Sequence, residues 1–217
     1  MQDTTVLLPT LNESATVADV IGDLREEGFS EILVMDGGSN DGTRELARKA
    51  GARVEQQSGS GKGQAVKEAM DECIDTERVV MLDADGTYDP ADAPKLLAEL
   101  DMGFCGHVVG DRTSNPDEGC WPFHRRVGNR LINLAFAIRH QPHADILSGY
   151  RAWTREAWEK MEIEADGWGI ETELCREAIQ TEGVTTVCVG VNYYPRPDGS
   201  ESKLSPITAA PEILSEL

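Results

Sequence analysis

The chain has 217 residues, of which 40% are hydrophobic, and its 39 Asp and Glu against 20 Lys and Arg leave a formal net charge of -19. This length and apolar content are enough for one sizeable core and exclude a disordered chain. A negative field of this size repels nucleic acid and anionic membrane surfaces, so it excludes a diffuse basic patch as the mode of binding. Because the acidic residues are spread over the whole length, we interpret them as a solvation trait of a salt-adapted cytoplasm.

Short β-rich runs alternate with helical patterns in the first half of the chain. This rhythm predicts a mostly parallel sheet covered by helices. The predicted strands cover residues 5–9, 31–35, 53–55 and 79–82. The predicted helices cover residues 17–27, 43–50 and 64–73, with a Gly-rich loop over 58–63. Residues 1–110 therefore have the pattern of a nucleotide-binding fold.

Beyond residue 110 the pattern changes, and a stretch punctuated by Pro and Gly continues to residue 122. We predict an Arg-rich helix over 125–138, a turn over 145–151, a helix over 170–181, a strand over 186–191 and an irregular tail. Residues 111–217 are assigned to an acceptor-binding half of the same single α/β domain.

The five cysteines are an odd number, widely spaced and without a Cys-x-x-Cys pair, and they are Cys73, Cys105, Cys120, Cys175 and Cys188. They are most simply buried free thiols in a reducing compartment. The N-terminus lacks the basic start and apolar stretch of a signal peptide, and the longest apolar runs are too short to cross a bilayer. We therefore expect a soluble cytoplasmic protein.

The most informative segment is Val79-Val80-Met81-Leu82-Asp83-Ala84-Asp85-Gly86, where an apolar run leads directly into two carboxylates. Such a run predicts a buried strand whose carboxyl end carries a site for a hard divalent cation, and that cation can bridge to a diphosphate. The pattern favours a nucleotide-sugar enzyme. The alternative is a strand that runs into an Asp-rich turn, which is the better interpretation of any isolated Asp-x-Asp.

Two other strand ends carry polar side chains. Asp36 is followed by Gly37-Gly38, so its carboxylate can accept hydrogen bonds from a base or ribose while the glycines let the backbone approach a ligand. The first strand leads into Pro9-Thr-Leu-Asn-Glu13. The alternatives are that Asp41 or Thr43, and Asn12 or Ser14, cap the helices that follow, with Glu13 on the surface.

The loop Ser58-Gly59-Ser60-Gly61-Lys62-Gly63 lacks Walker A spacing and the order of a dinucleotide fingerprint, so Lys62 is interpreted as a charge near a diphosphate. The order of the motifs is more specific than any one of them. Together, Pro9–Glu13, Asp36–Thr43, Gly61–Gly63 and Asp83–Asp85 resemble the family 2 glycosyltransferases of GT-A fold. That resemblance implies a Rossmann-like, mostly parallel sheet flanked by helices.

Three segments of the second half resemble the acceptor half of polyprenyl-phosphate hexosyltransferases. They are Asp145-Ile-Leu-Ser-Gly-Tyr-Arg151, Gly167-Trp-Gly-Ile-Glu-Thr-Glu173 and Gly199-Ser-Glu-Ser-Lys-Leu204. The likeness runs from about residue 5 to 204 and is greatest to the dolichyl-phosphate hexose synthases of haloarchaeal S-layer N-glycosylation. It implies inverting transfer of a hexose from a nucleoside-diphosphate sugar, UDP-hexose being favoured over GDP-mannose, to dolichyl or polyprenyl phosphate.

The resemblance also implies roles for individual residues. The residues expected to cradle the base and ribose are Pro9, Leu11, Glu13, Val34 and Asp36. Further donor contacts are expected at Gly61, Lys62, Gly63, Asp83, Ala84, Asp85 and Arg196. The cations that face the donor diphosphate or the acceptor phosphate are Arg112, Arg126, Arg196 and Lys203. The metal, Mg²⁺ or Mn²⁺, is expected at Asp83 and Asp85, with Thr87 standing where mannose synthases of this group often have a Gln.

A lipid phosphate is already ionised at neutral pH and needs no strong general base, unlike a sugar hydroxyl. Asp145 is the best remaining carboxylate for orienting the sugar or acting as a base, and the alternative is a turn residue that bonds Ser148. For Arg125, Arg126 and Arg130 the alternative is a solvated helix face.

The apolar positions of residues 127–138 predict an amphipathic helix that either packs in the core or lies against lipid. Peripheral contact with the cytoplasmic face of a membrane is therefore one expectation, and no nucleic acid partner is expected. Two other classes stay open: a family 2 transferase with a soluble or glycan hydroxyl acceptor, and a nucleotide-sugar-binding protein without catalysis.

Overall fold

The computed structural model describes residues 3–117, 119–120, 123–200 and 206–217. Strands β1 to β7 cover Thr4–Thr10, Glu31–Asp36, Arg53–Gln56, Arg78–Met81, His107–Pro116, Arg151–Thr154 and Thr186–Tyr193. They form one sheet with the strand order β3-β2-β1-β4-β6-β5-β7. Only β6 runs antiparallel to its neighbours β4 and β5 in this sheet. The predicted α/β class with a mostly parallel sheet is confirmed.

Helices α1 to α8 cover Val17–Glu26, Thr43–Lys49, Lys62–Glu68, Ala93–Asp101, Phe123–Arg139, Arg155–Lys160, Ile170–Gln180 and Pro206–Ser215. A π-helical turn over Ala69–Cys73 continues α3, and a 3₁₀ turn over Pro90–Asp92 precedes α4. α1 shows why these segments are helical: its buried residues recur at the spacing of one helix face, and they are Val17, Val20, Ile21 and Leu24.

The hydrophobic core lies on both faces of the sheet. On one face, α1 and α4 pack against the sheet in a cluster that includes Leu24, Leu96 and Val80. On the other face, α3, α6 and α7 pack in a cluster that includes Val66, Trp158 and Leu174. Because helices cover both faces, the side chains of the central strands are buried on either side of the sheet. This explains why β4 has consecutive apolar residues rather than an alternating pattern.

Several elements differ from the sequence expectation. α4, α6 and the short strand β6 were not predicted, the predicted turn over 145–151 leads into β6, and the predicted irregular tail contains α8. β5 was predicted to be part of a Pro/Gly-punctuated stretch. Its last residues are polar and exposed, so they carry no apolar signal, and pairing with β7 rather than burial keeps them extended.

The boundary predicted between residues 110 and 111 falls inside β5, so a single continuous sheet carries both proposed halves. Their division into donor and acceptor functions stays a prediction. In the part of the chain that the structure describes, no helix has the length and apolar character needed to span a bilayer.

Candidate active site

The polar strand ends predicted from the sequence converge at one edge of the sheet. β1, β2 and β4 are parallel neighbours, so the residues that follow them emerge on the same side. β6 is antiparallel to β4, so the turn that precedes it returns to this edge. The edge therefore brings together Glu13, Asp36, Asp83, Asp85 and Gly149 from distant parts of the sequence.

Asp85 is a buried carboxylate held from several sides. Its Oδ1 atom accepts hydrogen bonds from the Thr87 hydroxyl at 2.6 Å and from the Thr87 backbone nitrogen at 3.0 Å. Its Oδ2 atom forms an ion pair with Arg196. Burial and the neighbouring charge of Asp83 raise the pKa of Asp85 in spite of Arg196. Thr87 thus orients Asp85, and its place as a third metal ligand stays a prediction.

Asp83 is partly exposed and is paired with Lys62, whose Nζ atom lies 2.5 Å from Oδ1. The same ammonium lies 2.7 Å from Oε1 of Glu171 on α7. Burial alone would lower the pKa of Lys62, but the charges of Asp83 and Glu171 outweigh it and raise that pKa. Lys62 is therefore a permanent cation at the metal-side carboxylate, in agreement with its interpretation as a charge near a diphosphate.

Gly61 and Gly63 were predicted to contact the donor, and the structure places both against another segment of the protein. A Cβ atom at Gly61 would overlap the Asp166 carbonyl, and one at Gly63 would overlap the Ala165 carbonyl. The two segments are also hydrogen bonded, from Gly63 N to Gly167 O at 3.2 Å and from Gln64 N to Asp166 O at 2.8 Å. These glycines are needed for close packing of protein against protein, which fixes Lys62 between them.

Asp36 is fully buried at the end of β2. Its Oδ2 atom accepts hydrogen bonds from the backbone nitrogens of Gly38 and Ser39, each at 2.9 Å, and lies 3.7 Å from Nε of Arg44. Its Oδ1 atom has no hydrogen-bond partner among the described residues. A buried carboxylate oxygen without a partner is costly, so it is an acceptor suited to a ligand N–H or O–H group.

Glu13 and Asp85 both form ion pairs with Arg196. Oε1 of Glu13 lies 3.6 Å from Nη1 of Arg196, and Oε2 accepts a hydrogen bond from the Ser200 hydroxyl at 2.8 Å. Arg196 Nη1 also donates to Ser200 Oγ at 2.9 Å. Arg196 therefore links Glu13, which follows β1, to Asp85, and its role as a phosphate contact stays a prediction.

Two residues predicted to contact the donor have their side chains in the core. Val34 is fully buried and packs in the cluster around α1, and Ala84 is 1% exposed in the same cluster. Because both side chains are buried, a contact of Val34 or Ala84 with the donor would have to use the main chain, and the roles of both residues stay predictions. The Ala84 carbonyl accepts a hydrogen bond from the Thr16 hydroxyl at 2.6 Å, which fixes the backbone between the two aspartates. Pro9 is half-buried, and the Leu11 side chain is 42% exposed beside Gly37.

Asp145 forms a buried bidentate ion pair with Arg112, with Nε to Oδ2 at 2.6 Å and Nη2 to Oδ1 at 2.8 Å. Asn129 adds a hydrogen bond to Oδ1 at 3.3 Å. The Arg112 guanidinium also lies over the Tyr193 ring, 5.4 Å from its centroid. Burial opposes its charge, but Asp145 raises the pKa of Arg112 well above its ordinary value. The predicted bond to Ser148 exists only in the main chain, from Ser148 N to Asp145 O at 3.2 Å.

Two other cations, Arg126 and Lys203, were predicted to face a phosphate. Arg126 lies on α5 with an exposed side chain, and the structure does not bring it against the aspartates. Lys203 lies outside the described residues. The roles of both as phosphate contacts stay predictions.

The charges around the Asp pair favour a divalent cation. The four carboxylates of Glu13, Asp83, Asp85 and Glu171 face two cations, Lys62 and Arg196, which leaves two negative charges. Among the described residues, no three acidic, His or Cys side chains form a ready metal cluster. Mg²⁺ and Mn²⁺ sites commonly use one or two carboxylates with the remaining oxygens from substrate phosphates, so the Asp83 and Asp85 carboxylates fit such an ion.

Two features of this edge were missed by sequence reasoning. Glu171, which pairs with Lys62, lies in the segment Gly167–Glu173 that carries the resemblance, but it was given no role of its own. Gly149 lies so close to the charged pair that a Cβ atom there would be 2.7 Å from Oδ2 of Asp83 and 2.9 Å from Nζ of Lys62. The Ser148-Gly149 step in the predicted turn was the available signal, because a glycine in a turn also marks close approach.

A mostly parallel α/β sheet with an Asp-x-Asp pair at its carboxyl edge defines a glycosyltransferase of GT-A fold. The profile of glycosyl transferase family 2 matches residues 5–160. The chain belongs to glycosyl transferase family 2, and it is an enzyme of that family, as the sequence predicted.

Two similar proteins come from Haloferax volcanii. Glycosyltransferase AglJ is 54% identical over 213 residues, which cover 98% of this chain and 70% of AglJ. A dolichyl-phosphate hexose transferase is 33% identical over 215 residues, which cover 97% of this chain and 90% of that protein. The predicted likeness to haloarchaeal glycosyltransferases is confirmed.

Solved structures confirm the fold. Mannosyl-3-phosphoglycerate synthase from Rubrobacter xylanophilus has a TM-score of 0.78 at 21% identity and covers 98% of this chain, with 72% of its own chain covered. Glucosyl-3-phosphoglycerate synthase from Mycobacterium tuberculosis, crystallised with Mn²⁺ and UDP-glucose, has a TM-score of 0.76 at 24% identity, with coverage of 98% and 78%.

Proposed function

We propose that this family 2 glycosyltransferase moves a hexose from a nucleoside-diphosphate sugar to dolichyl or another polyprenyl phosphate, with inversion at the anomeric carbon. The observation that carries the proposal is the pairing of the carboxylates at the site edge. Asp145, the best sequence candidate for a base, accepts two hydrogen bonds from one guanidinium. Both oxygen atoms of Asp145 are engaged by Arg112, and one of them also by Asn129, so this carboxylate serves to hold a cation in place. An acceptor that is already ionised, such as a phosphate, needs no base.

The donor half of the proposal is supported by Asp36 and Glu13. The unpartnered Oδ1 atom of Asp36 is suited to a donor group of the base or ribose. Glu13 lies at the end of the parallel neighbour β1, on the same edge. Ligands of open α/β sheets lie at the carboxyl ends of the strands, which is where both residues are found.

The metal in the proposal is Mg²⁺ or Mn²⁺, held by Asp83 and Asp85. When bound, it would neutralise charge on the departing nucleoside diphosphate as a Lewis acid. The crystallisation of the mycobacterial synthase with Mn²⁺ and UDP-glucose supports the choice of ion and favours a UDP-linked donor. Lys62 and Arg196 lie against the two aspartates. Both cations can therefore offset the negative charge of the departing diphosphate.

The acceptor half of the proposal is supported by Arg112 and by the dolichyl-phosphate hexose transferase of similar sequence. Arg112 is fixed by Asp145 and Tyr193, so its guanidinium is a preorganised cation for the acceptor phosphate. Asp145 in this proposal positions Arg112 and takes no proton. Arg126 and Lys203 are proposed as further phosphate contacts, and the enzyme would work at the cytoplasmic face of a membrane.

The test is transfer of radiolabel from several nucleotide sugars to dolichyl phosphate, at high salt with Mg²⁺ or Mn²⁺, followed into the organic phase. We expect metal-dependent transfer from one donor, abolished in Asp85→Ala and retained in Asp101→Asn, which removes an exposed carboxylate paired with Arg78. Nucleotide release with a soluble acceptor and no lipid product would favour the hydroxyl-acceptor alternative. Donor binding without any turnover in the unmodified protein would favour a binding protein.

A further inference from the structure

The outer face of α5 is an apolar stripe that the described residues leave uncovered. We define the α5 outer face by four side chains with exposed fractions of 39%, 61%, 58% and 77%, which are Val127, Leu131, Leu134 and Ile138. At about 100° of rotation per residue, these positions fall within an arc of roughly 60°. They are four of the nine large hydrophobic side chains exposed in the described part of the chain. A concentration of this kind marks a contact surface.

The opposite side of α5 is the side that packs against the protein. Phe136 is fully buried there, and Asn133 accepts a hydrogen bond from Ile146 N at 3.0 Å. Asn129 donates to Asp145 at 3.3 Å. The helix therefore already has a packed face, and the outer face is a second apolar face on the side away from it.

The charge of α5 is unlike that of the rest of the chain. Its sequence, FHRRVGNRLINLAFAIR, contains no Asp or Glu, although the chain has 39 of them. The exposed side chains of Arg126 and Arg130 lie beside the outer face, displaced from its centre by about 60° to 110°. The residues of α5 thus present cations and no carboxylate around the outer face, which suits a layer of anionic headgroups.

We propose that the α5 outer face docks in the headgroup layer of an anionic lipid bilayer. The inference rests on the proposed function and deepens it, because it names the surface beside which a lipid phosphate would leave the membrane. An α-helix with its side chains is about 10–12 Å across, so docking brings the Arg112 and Asp145 pair within about one helix diameter of the headgroups. Asn129 lies on the side of α5 opposite the outer face and donates a hydrogen bond to Asp145, so α5 lies between this pair and the docked headgroups.

The net charge of -19 opposes approach to an anionic membrane at long range. Salt reduces that range, because the Debye length falls from about 10 Å at 0.1 M to about 3 Å at 1 M. Apolar insertion is not screened. Docking is therefore expected at high ionic strength, through the α5 outer face.

The test is flotation of the full chain with vesicles of phosphatidylglycerol and phosphatidylcholine in 1 M KCl. We expect the variant Leu131→Gln/Leu134→Gln/Ile138→Gln to lose vesicle binding on the order of tenfold or more, since each exposed apolar side chain contributes through its buried area. Gln is a good helix former, so circular dichroism should be unchanged. The matched control is Met102→Gln/Phe104→Gln, which removes two side chains of similar exposure, 60% and 59%, away from α5. It should bind like the unmodified protein.

A transfer assay separates docking from chemistry. The triple variant should lose transfer to a long-chain polyprenyl phosphate in vesicles and keep transfer to a short-chain, water-soluble one. Equal flotation of the triple variant and the unmodified protein would overturn the docking proposal, as would a failure of the unmodified protein to float. A lipid-free dimer that the triple variant disrupts, without vesicle binding, would assign the face to a second copy and overturn it too. Flotation as expected, without transfer to either phosphate, would instead refute the proposed function and leave the docking surface standing.

Discussion

Gly149 lies against the charged pair of the candidate site, because a Cβ atom there would be close to both Asp83 and Lys62. Gly149→Ala would place a methyl group 2.7 Å from a carboxylate oxygen and 2.9 Å from the ammonium, so both must move. We expect kcat/KM to fall about 10- to 100-fold, which is about 1.4–2.7 kcal/mol of transition-state stabilisation. Steady-state kinetics and Mn²⁺ titration in the presence of donor measure the loss.

The matched control for this change is Gly128→Ala. Gly128 lies in α5, and a Cβ atom there meets nothing within 4 Å. This substitution should leave turnover unchanged and raise stability slightly, because Ala favours the helix. Turnover of Gly149→Ala equal to that of Gly128→Ala would show that the geometry of Asp83 and Lys62 does not limit the reaction.

His107 is fully buried, and its hydrogen bonds fix its tautomer. Nε2 lies 3.3 Å from Nη1 of Arg151, which can only donate, so Nδ1 carries the proton and faces the Thr186 hydroxyl at 3.2 Å. Burial and the charge of Arg151 hold the pKa of His107 well below 6.5. The unfolded chain therefore binds a proton that the folded chain does not, and this part of the stability is present above pH 6.5 and is lost as pH falls below it.

We expect the free energy of unfolding to fall by about 2 kcal/mol for this group between pH 7.5 and pH 5. His143 behaves similarly, because burial and then Arg151 lower its pKa to about 4. His107→Gln keeps an acceptor for Arg151 and removes the titration, so it should lower stability at pH 7.5 but flatten the acid-side decline. Urea unfolding at the two pH values measures both effects, and an unchanged decline in the variant would contradict the assignment.

At the residue scale the sequence predicted the acidic groups better than their partners. Asp36, Asp83 and Asp85 are each preceded by an apolar strand, so their place at the carboxyl edge follows from local pattern alone. The pairing of Lys62 with Glu171, or of Arg112 with Asp145, depends on how distant helices and loops pack. No local pattern carries that information.

At the scale of elements, the Gly-rich loop is bound to the segment before α7, and this contact sets the position of Lys62. Gly63→Ala would drive a methyl group into the Ala165 carbonyl. Because both partners are backbone, neither can rotate away, and we expect a loss of about 2–4 kcal/mol in the free energy of unfolding. Chemical denaturation measures the stability, and turnover should fall as well because Lys62 moves.

Gly59→Ala is the comparison within the same loop. A Cβ atom at Gly59 would meet only the flexible side chain of Gln64, at 3.0 Å, so its cost should be below about 1 kcal/mol. Equal stability losses in the two variants would mean that the contact with residues 165–167 is not rigid.

The C-terminal helix α8 supports the same segment from the other side. Oε2 of Glu212 accepts a hydrogen bond from Trp168 N at 2.7 Å, and Glu216 pairs with Arg176 on α7 at 2.5 Å. The sequence tail was predicted to be irregular, and Pro211 inside α8 weakens its local helical preference. Tertiary contacts with α7 override that weak local preference.

Strong periodicity explains which elements could be predicted. α1, α7 and the buried strands β1, β2 and β4 show clear apolar patterns and were placed to within a residue or two. β6 has four residues with a fully buried Arg151 among them. An arginine in a short strand predicts a surface turn. Its burial is explained by hydrogen bonds to the carbonyls of Ser148 and Ile146 at 2.8 and 2.7 Å, and to His107 Nε2 and Cys175 Sγ at 3.3 and 3.2 Å.

For the whole molecule, the net charge of -19 predicts a stability that depends on salt. Self-repulsion destabilises the compact state, and added salt screens it. We expect the denaturation temperature to rise between 0.1 and 2 M KCl, with most of the gain below 1 M, where the Debye length reaches about 3 Å. Differential scanning fluorimetry measures it. Sucrose at equal osmolality should not reproduce the early rise, and a flat response to KCl would contradict the repulsion argument.

The family could be identified from the sequence because four motifs occur in a fixed order, and the sheet could be predicted from the alternation of elements. The reversed strand β6 could not, because strand direction within a sheet depends on pairing partners rather than on local pattern. Because β6 is reversed, the turn before it, which carries Asp145 and Gly149, lies at the sheet edge that holds the candidate site.

The contact between residues 61–63 and 165–167 is made by main-chain atoms on both sides. Its two sides should therefore drift differently over evolutionary time. Substitution at 165 or 166 leaves the carbonyl groups in place, so those positions are free to vary, whereas any side chain at 61 or 63 breaks the contact. Methods that infer proximity from correlated substitutions need variation on both sides, and they should be blind to this junction even though it holds Lys62 at the candidate site.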